Sequence, residues 1–130
     1  MAISSIMFVA YASAGIAYAS STKTTWSSNP LTLTFAASDG SGSASDSVSC
    51  NQNLSDLSLR ISVSDPTRMS LTSSPVGLSC SGSATTVTFT AHCIASADAC
   101  RGTYHGLVQL RQNSGYRNFP ANLKIVITVT

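Results

Sequence analysis

The 130-residue chain contains no glutamate. Seven Lys and Arg and five Asp are its only formal charges, 9% of the residues, against about 25% in an ordinary soluble domain. A net charge of +2, spread this thinly, does not suit a protein that grips phosphates, so no nucleic-acid partner is expected. A charged helical bundle is excluded for want of Glu and of Leu–Lys periodicity. No two cysteines stand in C-x-x-C spacing, which argues against a zinc ribbon or a dithiol redox motif. No G-x-S-x-G elbow occurs either. The only histidines are His92 and His105. Asp98 is near His92 in sequence, but serine is so common here that closeness in sequence does not define a Ser-His-Asp site. No histidine–carboxylate spacing supports a metal site. The expectation is a non-enzyme with no cofactor.

What fills the space is hydroxyl and apolar. There are 25 Ser and 14 Thr, and the hydrophobic fraction of 43% is too high for a disordered tail. The length allows one compact domain and little else.

The chain divides near residue 22. No charge precedes Lys23. Met1 to Ala19 (MAISSIMFVAYASAGIAYA) is apolar without alternation, which disfavours a half-buried strand. On a helical wheel its apolar residues cover every side, so as a helix it must be buried all round, in lipid or in protein. Twenty residues at 1.5 Å each reach about 30 Å, the thickness of a bilayer core. Four readings follow, in this order. The first is a helix in a polymer core, where Ser4, Ser5, Ala10, Ala12, Ser13 and Gly15 permit close helix approach. The second is a secretory signal ending at Ala17-Tyr18-Ala19. The third is a membrane anchor, and the fourth a donor strand for a neighbour's sheet.

After Trp26 the pattern is that of strands. Leu31, Leu33 and Phe35 alternate with Thr32 and Thr34; Leu57, Leu59, Ile61 and Val63 alternate with polar residues. Val87, Phe89 and Ala91, then Tyr104, Val108 and Leu110, then Leu123, Ile125, Ile127 and Val129 form three more inward sets. Ser45–Cys50 is expected as a short strand and Arg68–Thr72 as an edge strand. Ser38–Ser45 is expected to be a turn-rich break. That makes about seven short strands with no helix pattern between them, a mainly β antiparallel sandwich over residues 23–130 behind an apolar helix over 1–22. Trp26, the sole tryptophan, is expected to pack the junction of the two.

Four cysteines, Cys50, Cys80, Cys93 and Cys100, in a chain that reads as exported point to two disulfides. Three pairings exist. The favoured one joins Cys93 to Cys100, clipping the loop CIASADAC, and Cys50 to Cys80. Asn53-Leu54-Ser55 is the one N-x-S/T sequon in the chain, so Asn53 is a candidate N-glycosylation position.

Two stretches carry a family resemblance. Gly102-Thr103-Tyr104-His105-Gly106 followed by an alternating strand, Gly115-Tyr116 and Leu123–Val129 resembles the last hairpin of Ig-like domains on prokaryotic surface proteins. Asp65–Leu71 is similar to the middle of such domains. An apolar N-terminal helix placed directly before an Ig-like head is similar to archaeal type IV pilins and archaeal flagellins. The resemblance implies an extracellular, cell-surface filament in which helices bundle as the core and heads coat the outside. It implies self-association into a helical homopolymer, contact with membrane only before assembly, and adhesion to surface glycans or host and cell surfaces. Heads rich in Ser and Thr are often glycosylated in that family. The core-helix role falls on Ile3, Ile6, Met7, Phe8, Val9, Tyr11, Ile16 and Tyr18. The alternative is a secreted or membrane-anchored Ig-like binding module whose residues 1–19 are a signal peptide or anchor.

Overall fold

A computed structural model describes residues 23–113, 117–119 and 122–130. The segment expected as an apolar helix, residues 1–22, lies outside the described residues. The rest is mainly β, in two sheets. A four-stranded sheet has the order β1 (Thr24–Trp26), β3 (Ser41–Cys50), β7 (Thr85–Cys93), β5 (Met69–Ser74). The second sheet has the order β2 (Leu31–Phe35), β10 (Leu123–Val129), β8 (Gly102–Gln112), β4 (Leu54–Val63), β6 (Gly77–Cys80), with β9 (Arg117–Asn118) paired beside β8. All pairs are antiparallel except β2 with β10.

Period-2 alternation sets the inner faces. In β10 Leu123, Ile125, Ile127 and Val129 are buried while Lys124 is exposed. β7 buries Val87, Phe89 and Ala91, and β2 buries Leu31, Leu33 and Phe35. These meet Val48, Met69, Leu71, Tyr104, Val108 and Leu110 in one core between the sheets. Trp26 lies within this core, its ring 6.0 Å from that of Phe89.

Ten strands stand among the described residues, against about seven expected. Three differences have physical causes. The stretch Ser38–Ser45, expected as a break, is a turn only over Ala37–Gly40; from Ser41 on it is strand. Its serines pair with threonines of β7 across the sheet: Ser43 Oγ with Thr90 Oγ1 at 2.9 Å, Ser45 Oγ with Thr88 Oγ1 at 2.8 Å. Cross-strand hydroxyl pairs supply what weak strand propensity lacks. β4 begins at Leu54, not Leu57. A bulge between these residues breaks the alternation, with Asp56 in the left-handed region at φ 58°. Ile61 and Val63, expected inward, are only half-buried, near the end of β4. Finally, the chain changes sheets after Ser74, so β5 borders one sheet and β6 the other. β6, with Leu78 its only large apolar residue, carries too little pattern to be read from sequence.

Candidate functional site

The sandwich has two distinct ends. Thr24 of β1 lies opposite Cys50 of β3, so the chain enters the fold at the end that carries Asn51. Entry is fixed there from both directions: the Lys23 N–H donates to Asn51 Oδ1 at 2.9 Å, and the Asn51 N–H donates to the Lys23 carbonyl at 3.2 Å. The next corner is held by Asp46, a buried carboxylate. Its Oδ1 accepts from the Ser27 hydroxyl, from the Ser28 N–H at 3.0 Å and from the Ser47 N–H at 2.9 Å. Its Oδ2 is buried without a hydrogen-bond partner. We call this end the base.

At the opposite end, the tip, the turn Ala37–Asp39 packs against a single helical turn, Ala97–Cys100. The Cys93 N–H donates to the Gly40 carbonyl at 2.8 Å, and the Ile94 N–H to the Arg68 carbonyl at 2.8 Å. Charges gather here. Asp65 faces Arg68 at 3.4 Å and Asp98 faces Arg101 at 3.5 Å, both exposed pairs, so each contributes little to stability. Asp39 is exposed beside them.

The two outer faces differ as well. On the four-stranded sheet the outward positions are mostly hydroxyl: Ser43, Ser45 and Ser47 of β3, and Thr86, Thr88 and Thr90 of β7, with His92 at the tip end of that row. Thr72 and Ser74 of β5 extend two of these rows across a third strand. On the other sheet, Lys124 and Val126 of β10 lie beside His105 and Leu107 of β8.

The residues singled out in the sequence fall as follows. Ile3, Ile6, Met7, Phe8, Val9, Tyr11, Ile16 and Tyr18 lie outside the described residues. Cys50 is bonded to Cys80, which joins β3 of one sheet to β6 of the other. Cys93 is bonded to Cys100, which closes the tip. Asn53 is exposed at the base, in the connection between β3 and β4, beside a cleft lined by Ser55, Ser79 and Ser81. His92 and His105 are both exposed and stand on different sheets. Among the described residues no group of three or more His, Cys and Asp gathers as metal ligands. No helix among them is long and apolar enough to cross a membrane. Sequence reading missed Asp46, because a lone acid in a serine run gives no sign of the corner that it holds.

No family model and no curated protein matches the chain. Among solved structures it is similar to domains 4 and 5 of the S-layer protein SbsC, at 13% identity and a TM-score of 0.48, over 83% of this chain and 51% of that one. A longer SbsC structure gives 11% identity and a TM-score of 0.47, over 83% of this chain and 12% of that one. The CooA pilin subunit of enterotoxigenic Escherichia coli gives 15% identity and a TM-score of 0.41, over 85% of this chain and 97% of that one. The chain thus spans about half of the SbsC two-domain fragment. These likenesses assign it to no family.

Proposed function

We propose that the protein is a structural subunit of an extracellular filament, similar to an archaeal type IV pilus, which polymerises through residues 1–22. The observation that carries this reading is the join. A segment with no charge ends at Thr22, and strand β1 begins at Thr24 with Lys23 held between them by Asn51. Lys23 is the one residue between the uncharged segment and the first strand. A first strand that begins one residue past the uncharged segment, with that residue held by Asn51, suits a lattice in which every head holds one orientation. Each copy removes the apolar segment from lipid or water by packing it among its neighbours, at about 25 cal/mol per Å² of apolar area buried. The head is an Ig-like sandwich in this reading, since β1-β3-β7-β5 and β10-β8-β4 follow the A-B-E-D and G-F-C orders of Ig constant-type domains. Two disulfides suit an oxidising, extracellular setting. Adhesion is the role that such a filament would serve, and Asn53 is a position where the head could carry a glycan.

The test is negative-stain microscopy of the full chain beside its Val9→Asp variant. Filaments are expected from the first and not from the second, whose sandwich should stay folded by circular dichroism. Unchanged filaments from Val9→Asp would refute the core role of the segment. N-terminal sequencing addresses the second reading, favoured by Ala17-Tyr18-Ala19 before Ser20. A mature start at Ser20 would make the protein a secreted Ig-like binding module.

A further inference from the structure

Among the described residues only three large apolar side chains are exposed: Val76, Ile94 and Leu107. Isolated exposed apolar residues are ordinary, but two of these lie in settings that complement each other. Leu107 sits on the outer face of β8 in a cleft of about 350 Å³, lined also by Pro30, His105, Lys124 and Val126. Arg60 lines the adjoining hollow on the other side of Leu107. The outward positions of β2, β8 and β10 carry no carboxylate. The cleft is therefore apolar at its floor and cationic at its rim. Ile94 stands at the tip, at the start of the loop that the Cys93–Cys100 bond closes. Asp98 in the same loop has a side chain 96% exposed, and Asp39 is on the turn packed against it. The tip holds three carboxylates, Asp39, Asp65 and Asp98, to two guanidinium groups, Arg68 and Arg101. It is an apolar point in a mixed-charge surround with one carboxylate in excess, on a loop already ordered by its disulfide. A preformed loop loses little conformational freedom when it docks.

We infer that the tip of one copy seats in the Leu107–Lys124 cleft of a second copy, with Ile94 on the apolar floor and Asp98 or Asp39 against Lys124. Tip and cleft are different surfaces of the same chain, so the contact is heterologous, the type that builds an open helical filament wherever its rotation does not close into a ring. It rests on the filament reading, in which the tethered segments bring the heads to high local concentration. Within one copy Asp98 and Lys124 cannot meet. Lys124 is five residues before Val129, which pairs with Gly102 beside the tip, and five strand residues span about 17 Å.

The experiment is zero-length carbodiimide cross-linking of assembled full-length protein, followed by peptide mass spectrometry. The chain has only two lysines, Lys23 and Lys124, so the candidate amide links are few. An intermolecular link from Lys124 to Asp98 or Asp39 is expected. Lys124→Asp should abolish that link because no amine remains at position 124, which makes it the control for the assignment of the link and leaves the charge swap as the test of the contact. Combining Lys124→Asp with Asp98→Lys in one chain should restore a link between the same two positions, with amine and acid exchanged. Filaments that form but yield no such link, or only links to Lys23, would overturn the contact and leave the filament reading standing. Monomers without links would overturn both.

Discussion

At Gly42 the backbone of β3 lies against the root of a core side chain. A Cβ placed there would lie 2.7 Å from both Cβ and Cδ1 of Phe35 and 2.9 Å from its Cγ. Carbon atoms in good contact stand about 3.5–4.0 Å apart, so something must move. Phe35 Cβ is one bond from a backbone that is pinned twice, by the parallel pairing of β2 with β10 and by the Thr130 N–H donating to its carbonyl at 3.0 Å. Rotating the ring does not relieve a clash at its root. Overpacking of this kind costs about 1–3 kcal/mol, and loss of unfolded-state freedom on replacing Gly returns about 0.4–1 kcal/mol. Gly42→Ala should therefore destabilise the protein by about 1–2 kcal/mol. At about 4–8 °C per kcal/mol for a domain of this size, Tm should fall by roughly 5–15 °C. Gly106 is the control. Its Cβ would meet Leu71 Cδ2 at 2.6 Å, but that atom is the far end of a leucine. A rotamer adjustment of about 0.5–1.5 kcal/mol is offset by the same entropic gain, so Gly106→Ala should stay within about 1 kcal/mol of the parent. Urea titration with an unchanged m-value reads both. Equal stability of Gly42→Ala and the parent, or a larger loss from Gly106→Ala, would refute the reasoning.

Three further outcomes are expected. Replacing Cys50 and Cys80 together by Ala should cost about 3.7 kcal/mol, and replacing Cys93 and Cys100 about 2.5 kcal/mol, because the first bond closes the longer loop; denaturant midpoints in the reverse order would count against a loop-entropy origin. Asp46→Ala should lose about 2–4 kcal/mol by stripping Ser27, Ser28 and Ser47 of their acceptor. Asp46→Asn, which keeps that acceptor, should recover most of the loss in the same titration; if it does not, the hydrogen bonds are not what the carboxylate supplies. Asn53→Gln should leave the thermal midpoint unchanged, its side chain being exposed in a connection, and should remove any N-linked glycan seen by intact mass.

Alternation made the inner face of β2, β7 and β10 legible, since one polar residue between each apolar pair leaves a single register that buries the set. Where the inner residues are small or polar, the pattern says nothing. β3 turns Gly42, Ala44 and Asp46 to the same side as Val48, so half of a ten-residue strand reads as a turn. β1 is three residues long, and Thr24 and Trp26 alone cannot set a period. At β4 the bulge shifts the phase between Leu54 and Leu57, and the eye starts the strand one bulge late. The clipped loop of the tip was legible in the spacing of Cys93 and Cys100, but its complementarity to the cleft was not. Ile94, Leu107 and Lys124 are far apart in sequence, and their meaning depends on which sheet face and which end of the sandwich each one occupies.

Scarcity of charge has a use in the proposed assembly. Covering a charge in a contact between heads costs several kcal/mol unless it is paired with good geometry. A hydroxyl costs less, and far less when it already has a partner. On the four-stranded sheet Ser43 and Ser45 already bond to Thr90 and Thr88, and Ser47 to Ser27 at 3.0 Å. Such a face stays wet when the protein is free and loses little when a neighbour covers it. Single-sign charge is kept off it, and the few carboxylates and cations stand at the tip, the base and the opposite sheet, where a directed contact can use them. A surface of this kind tolerates crowding along a filament while only the tip and the cleft select an orientation. Introducing Lys at Thr88 and Ser45 together should then impair assembly more than it impairs folding. Filaments of unchanged yield from that variant would mean that the hydroxyl face stays in water in the assembled state.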